Sequence, residues 1–212
     1  VIGDIHGDWE EMLNTLRIAG VIKKDPEKWT GEDTVVVQVG DQIDRTRQPN
    51  NPEETPDDEA SDVKILEYFT RLHNAASKEG GAVYSLLGNH ELMNVMGDMK
   101  YVSPANIRDF DNYEKPDGSI IEDGMRARKW AFKPGNPMAK FLACTRIGIL
   151  VIGSNLFVHA GIVPDLAKEY KIKEVNRLVR LWLLGKLKDD NEFKKILQSA
   201  DYSPFWNRIM GQ

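Results

Sequence analysis

The stretch "AVYSLLGNHE", Ala82 to Glu91, decides how the chain is read. Its first six residues form an apolar run suited to a buried strand. The run stops abruptly in a glycine, an amide, an imidazole and a carboxylate. One reading is a strand end followed by a helix cap, with Asn89 capping a helix that Glu91 opens. The other is a functional turn, because α/β proteins place their chemistry in loops that follow strands.

Outward from this stretch, three further strands are predicted: "VI" at Val1, "TVVVQV" at Thr34 to Val39, and "IGILVIGSNLFVHA" from Ile147. The last reads as a hairpin turning at Ser154-Asn155. Helical patterns lie between them. "DWEEMLNTLRIAG" has Trp9, Met12, Leu13 and Leu16 at helical spacing and ends at Gly20. "EASDVKILEYFTRLHNAASKEGG" carries Val63, Leu66, Tyr68, Phe69 and Leu72, and "IKEVNRLVRLWLLGKL" is a third amphipathic helix with Trp182 in the core. Strands alternating with helices predict an α/β architecture with a partly parallel sheet. "RTRQPNNPEETPDDEAS", Arg45 to Ser61, is Pro-rich, acidic and aperiodic, and is expected to be mobile. Ser103 to Gly124 is a polar connection with room for short helices.

The chain has 212 residues and a net charge of −5, which gives no broad attraction to nucleic acid or anionic membrane. No apolar run reaches membrane-spanning length. The one cysteine, Cys144, excludes a disulfide framework, fits a reducing, cytoplasmic setting, and is expected to be a buried small hydrophobe. The chain starts inside a strand, and "NRIMGQ" ends it without a terminal element. Residues 1–212 are therefore expected to be a single domain, shortened at both ends, within a longer protein.

There are four histidines, and His6, His90 and His159 each follow a predicted strand in a Gly-bearing turn: "GDIHG", "GNHE" and "HAG". The remaining strand end is "GDQIDR", with Asp41, Asp44 and Arg45. Parallel strands put their C-terminal ends on one sheet edge, so Asp4, His6, Asp41, Asp44, Arg45, Asn89, His90 and His159 are predicted to converge. Carboxylate, imidazole and amide donors suit Mn, Fe or Zn. More than four such ligands suggest two ions with a bridging carboxylate, which points to phosphate chemistry.

"GDIHG…GDQIDR…GNHE…HAG" resembles the calcineurin-like metallophosphoesterase superfamily, in its phosphoprotein phosphatase branch. "GNHELMNVMGDMKYV" and "FVHAGIVPDL" are most similar to the Shewanella-like phosphatases. The resemblance implies a four-layer sandwich of central mixed β-sheets flanked by helices. It implies a phosphatase using two divalent ions, Mn first, on a phosphorylated protein or peptide, by direct attack of a metal-bridging hydroxide. Asp4 and His6 would hold the first ion, Asp41 would bridge, and Asn89 and His159 would hold the second. His90 would be the general acid oriented by Asp44. Arg45, Asn89 and, in "PFWNR", Arg208 would bind the phosphate. Nucleic acid and membrane are not among the implied partners, and oligomeric state is left open. A diadenosine polyphosphate hydrolase shares the same core, but its third motif tends to end in Asp, where this chain has Glu91. A catalytically impaired binding module is the other alternative.

Two departures matter. The family pattern has Gly after Arg45, and this chain has Thr46. The family also places a further histidine on the second ion, and none follows His159; it is expected beyond Gln212. His73 lies on a predicted helix, is expected to face solvent, and cannot replace it.

Overall fold

The computed structural model describes residues 1–187 and 191–209; Met210, Gly211 and Gln212 of the "NRIMGQ" end lie outside the described residues. The elements run, in order, α1 (Trp9–Ile18), β1 (Val35–Gln38), α2 (Asp62–Lys78), β2 (Ala82–Ser85), α3 (Asn89–Met96), α4 (Pro104–Arg108), β3 (Tyr113–Glu114), β4 (Ile120–Ile121), α5 (Gly124–Phe132), α6 (Pro137–Thr145), β5 (Ile149–Ile152), β6 (Asn155–Val158), α7 (Pro164–Glu169), α8 (Ile172–Leu183) and α9 (Asn191–Gln198). The mixed α/β expectation is met, with short strands and helices around them.

The strands that precede the first three motifs are parallel neighbours. β1 pairs β2 from Val35↔Ala82 to Gln38↔Ser85. Single bridges extend this ribbon, Ile2 to Gln38 on one side and Leu86 to Ile147 on the other. The predicted strand at Val1 is therefore a bridge at Ile2 alone. Parallel strands are buried on both faces, which is why "VVV" and "AVYSLL" read as continuous apolar runs. The β5–β6 hairpin is antiparallel, with Ile152 paired to Asn155. Its loop is thus Gly153-Ser154, one residue earlier than predicted.

Two apolar clusters pack the ribbon. Ile2, Ile5, Trp9, Met12, Leu13, Leu16 and Val36 join Ile65, Tyr68, Phe69, Leu72 and Val83 in one. Leu66 of α2 belongs to the other, with Leu92 of α3, Ala127 and Phe132 of α5, Leu142 of α6, and Val179 and Trp182 of α8. Helix α2 thus serves both clusters and fixes one against the other. No described helix is long and apolar enough to cross a membrane.

Residues 45–61 are stapled down, contrary to the expected mobility. Asp58 accepts from Ser103 Oγ (2.5 Å) and Ala105 N (2.7 Å) at the start of α4. Glu59 accepts from Trp9 N (2.9 Å) at the start of α1. The acidic residues thus satisfy orphan N–H groups at helix N-termini, where negative charge is favoured. Thr46, which replaces the family glycine, is fully buried. It donates its N–H to Tyr101 O (3.0 Å) and pairs its hydroxyl with Thr55 (2.8 Å).

Two minor expectations are corrected. Cys144 is exposed. Helix α6 buries Ala139, Leu142 and Ala143, at helical spacing, and Cys144 lies off that stripe. His73 is half-buried rather than solvent-facing, and its Nδ1 accepts the Val83 N–H (3.3 Å). That amide sits on the outer edge of β2 and needs an acceptor.

The turns after β1 and β2 interlock through glycine. A Cβ on Gly40 would meet Gly88 N at 2.5 Å, and a Cβ on Gly88 would meet Asp41 Oδ1 at 2.2 Å. Neither turn has room for a methyl group. Gly88→Ala is therefore expected to destabilise the fold by about 2 kcal/mol or more through overpacking against backbone. Gly3→Ala, where a Cβ meets nothing within 4 Å, is expected to change stability by less than about 0.5 kcal/mol. Thermal unfolding of the two variants checks this.

Candidate metal centre

The first turn is hydrogen-bonded onto the second. Ile5 N and His6 N donate to Asp41 O (2.9 and 3.0 Å), and Gly7 N donates to Gln42 O (2.9 Å). The third turn is tied to the second by Glu91, whose carboxylate accepts from Gly88 N (2.7 Å), Asp41 N (2.9 Å) and Gln42 N (2.8 Å). The N-cap of α3 is Gly88, so Asn89 is its first helical residue and not its cap. Behind β1, the buried Gln38 amide braces both ends of the turn region, donating to Gly3 O (3.0 Å) and Gly40 O (2.6 Å). These bonds hold His6 and Asp41 at φ values of 49° and 53°, and Asp44, whose N–H donates to Asp62 Oδ1 (3.1 Å), lies at 74°. Such left-handed backbone costs on the order of 1 kcal/mol or more per non-glycine residue, and it persists only where surroundings enforce it.

The side chains then converge. One oxygen of Asp41, Oδ1, accepts His90 N–H (2.9 Å), which aims the carboxylate. Its other oxygen, Oδ2, faces three imidazoles, at 3.4 Å from His159 Nε2, 3.8 Å from His6 Nε2 and 3.9 Å from His90 Nε2. Asp4 Oδ2 lies 3.7 Å from His6 Nε2, and Asn89 Oδ1 lies 2.9 Å from His159 Nε2. Ligand atoms of His6, Asp41 and His90 fall within 4.8 Å of one another, and so do those of Asp4, Asp41 and His159. Asp41 belongs to both groups. Asp4 and His6, which the resemblance puts on one ion, are neighbours here, and Asp4 also lies near His159 (4.0 Å).

The back of each imidazole tells its role. His6 Nδ1 faces Ile43 O (3.2 Å), and His159 Nδ1 faces Val39 O (2.9 Å). A carbonyl only accepts, so each Nδ1 donates there and each Nε2 is turned toward the cluster. His90 differs: its Nδ1 meets the Asp44 carboxylate at 2.8 Å. Burial alone would lower the His90 pKa, but the Asp44 hydrogen bond and the charge of Asp41 outweigh it and raise it. A carboxylate behind an imidazole favours the protonated form, which suits an acid.

The donor set fits divalent ions. Carboxylate, amide and imidazole groups lie close enough together to ligate such ions. Burial pushes Asp41 up and His159 down, but their mutual contact reverses both, holding Asp41 at about 2 and His159 at about 9.

The two arginines carried over from the family sit differently. Arg45 Nη1 is paired with Asp8 Oδ2 (2.9 Å), and its Nε is buried without a partner. Arg208 is exposed and donates to the carbonyls of Trp206 (3.2 Å) and Asn207 (3.3 Å); no described hydrogen bond or ion pair joins it to the cluster. The preceding residues of "PFWNR" do reach the "HAG" turn: Ala160 N donates to Pro204 O (3.0 Å) and Asn207 Nδ2 to Gly161 O (2.6 Å). His73 is bound at the edge of β2 and takes no part.

Sequence reasoning missed the supports. Glu91 and Arg146 are fully or nearly buried, with Arg146 donating to Gln42 Oε1 (2.7 Å) and Leu66 O (2.6 Å). Arg128 is fully buried, donating to Asp62 Oδ2 (2.7 Å) and Asn94 Oδ1 (2.9 Å). Asp62 is raised to about 6 by burial, which the Arg128 charge only partly offsets. A basic residue at a position otherwise spaced for the apolar face of a helix was the available signal.

The Asp41–His159 pair sets a pH dependence for the metal-free protein. Asp41 lies below its ordinary 3.8, so its contribution is present above that value and is lost as pH falls through about 2. His159 lies above its ordinary 6.5, so the same contact is complete below that value and is lost as pH rises through about 9. Thermal melts in excess chelator are expected to show stability declining across that alkaline range, and His159→Gln is expected to flatten the decline.

With the geometry established, known proteins can be compared. The family model for calcineurin-like phosphoesterases matches residues 1–208. The chain is 47% identical over 156 residues to uncharacterized protein R398 of Acanthamoeba polyphaga mimivirus, covering 68% of this chain and 61% of that one. It is 31% identical over 214 residues to Shewanella-like protein phosphatase 2 of Arabidopsis thaliana, covering 87% of this chain and 51% of that one. The chain therefore spans about half to three-fifths of the length of these relatives. In fold it is similar to a solved cold-active protein tyrosine phosphatase, with a TM-score of 0.69, 23% identity, and coverage of 98% of this chain and 54% of that one. The chain belongs to the calcineurin-like phosphoesterase family.

Proposed function

We propose that the chain carries the catalytic core of a phosphatase that uses two divalent ions to hydrolyse phosphomonoesters on phosphoproteins. The observation that supports this most is the sharing of Asp41 between two three-residue ligand groups. His6, Asp41, Asp4, Asn89 and His159 would hold the ions, with Mn favoured by the oxygen-rich donor set. Bound ions would lower the pKa of a water and neutralise phosphate oxygens. His90 sits with Nε2 toward the cluster and Nδ1 on Asp44, so it can hand its Nε2 proton to the leaving oxygen. Asp44 is fully buried and holds that imidazole in one orientation. Arg45 would grip phosphate oxygens, with its guanidinium braced by Asp8. Arg208, on the segment that packs against "HAG", would reach the phosphate by turning from the carbonyls it now faces.

A protein substrate is supported by the plant relative, a protein phosphatase by name, and by the solved tyrosine phosphatase of like fold. The single exposed cysteine, Cys144, supports a reducing, cytoplasmic setting.

Chelation is expected to abolish aryl phosphate hydrolysis, and added Mn to restore it. Metal uptake at neutral pH is expected to release a proton from His159, measurable by calorimetry in buffers of different ionisation enthalpy. His90→Ala is expected to cut turnover about 100-fold or more for an alkyl phosphate, whose leaving group needs a proton, and far less for an aryl phosphate. An equal loss on both would count against His90 as the acid. A dinucleoside tetraphosphate cleaved faster than a phosphopeptide would overturn the protein substrate.

A further inference from the structure

Behind Asp44 lies a buried network that the metal centre does not use. Both Asp44 and Arg128 are fully buried. Asp44 Oδ2 meets His90 Nδ1 at 2.8 Å, and Asp44 Oδ1 accepts from Asn94 Nδ2 at 2.9 Å. The Asn94 amide is oriented from behind, because Arg128 Nε, which can only donate, is 2.9 Å from Asn94 Oδ1. The same guanidinium donates to Asp62 Oδ2 at 2.7 Å and to Asn106 O at 3.3 Å. Asp62 Oδ1 then accepts the Asp44 N–H at 3.1 Å. Arg128 Nη2 is itself 3.8 Å from Asp44 Oδ1. Asp44 is thus gripped at its side chain through Asn94 and at its backbone through Asp62, with both arms ending on one arginine. Two buried carboxylates so close together also need that positive charge.

We propose that Arg128, acting through Asn94 and Asp62, is a positioning residue that fixes Asp44 and thereby aligns His90 for proton transfer. It deepens the phosphatase reading above and rests on it for its kinetic consequence. The alignment itself is a property of the fold and can be measured without turnover. The chain is indirect by design of its geometry: Arg128 has no hydrogen bond to any residue of the ligand groups, so its loss should leave metal loading alone. A misaligned acid should matter only where the leaving oxygen needs its proton.

The test uses Asn94→Ala, which removes no charge, and Arg128→Lys, which keeps the charge and loses the fork. The exposed neighbour Lys129→Ala is the control. In the zinc-loaded protein, the hydrogen-bonded Nδ1 proton of His90 is read by proton NMR. It is expected to move upfield or to be lost to solvent exchange in both variants and not in the control. Turnover of an alkyl phosphate is expected to fall about tenfold, with KM, metal content and aryl phosphate turnover within about threefold of the parent. An unmoved resonance in a folded variant, or equal losses on alkyl and aryl phosphates, overturns the proposal. An Asn94→Ala protein that does not fold assigns the network to the fold alone and also overturns it. If the parent hydrolyses neither phosphate while the resonance still moves, the phosphatase reading falls and the positioning role stands.

Discussion

The carboxylate of Glu91 is the constraint on which the rest of the site depends. It is fully buried and accepts three backbone N–H groups, from Gly88, Asp41 and Gln42. Hydrogen bonds to a charged group contribute about 1.5–3 kcal/mol each, so three together can offset the cost of burying the charge. Burial and the charge of Asp41 still raise the Glu91 pKa, and the Gly88, Gln42 and Asp41 amides pull it back. The consequence is geometric. Asp41 can hold its left-handed backbone because its amide is caught on Glu91 and its carbonyl receives Ile5 and His6. One buried acid on α3 thereby sets the position of Asp41 and, through its carbonyl, of His6.

Burial around the cluster is uneven in a way that matches its task. The backs of the imidazoles are spent on Ile43 O, Val39 O and Asp44. Their fronts face Asp41 Oδ2. Asp4, by contrast, keeps half of its side chain exposed. Rear bonds fix each ring plane and tautomer before any ion arrives, so little ordering remains to be done on binding. A carbonyl stands behind His6 and His159 and a carboxylate behind His90, and the proposed division between ligands and acid rests on that difference.

Much of this was legible in the sequence for a physical reason. Strand-terminal turns need glycine, and the polar residues that follow are short-range signals carried within a few positions. "GDIHG", "GDQIDR", "GNHE" and "HAG" could therefore be read one turn at a time; parallel pairing brings the first three to a common edge, and the antiparallel return of β6 along β5 brings "HAG" there. What was not legible depends on separation. Arg128 and Asp62 are 66 residues apart, and Arg146 and Gln42 are 104 apart. Nothing local marks a helix arginine as the partner of a distant aspartate. The "GNHE" stretch showed the same split within itself. Asn89 and His90 announce their chemistry by type, whereas the clamp made by Glu91 is visible only once the turn after β1 lies beside it.

The acidic insertion shows how composition misleads when charge is counted without its partner. Residues 45–61 read as solvated and mobile, yet Asp58 and Glu59 each close the N-terminus of a helix, and Ser61 Oγ bonds Gly7 O. Thr46 is the hinge of this arrangement, since its buried hydroxyl and amide tie the segment to Thr55 and Tyr101. A glycine there could offer the amide but not the hydroxyl. Tyr101 in turn lies 5.0 Å from the His90 ring, with the Arg47 guanidinium 6.0 Å from its own. Thr46, where the family pattern has glycine, therefore ties down a segment that sets Tyr101 and Arg47 beside the His90 ring.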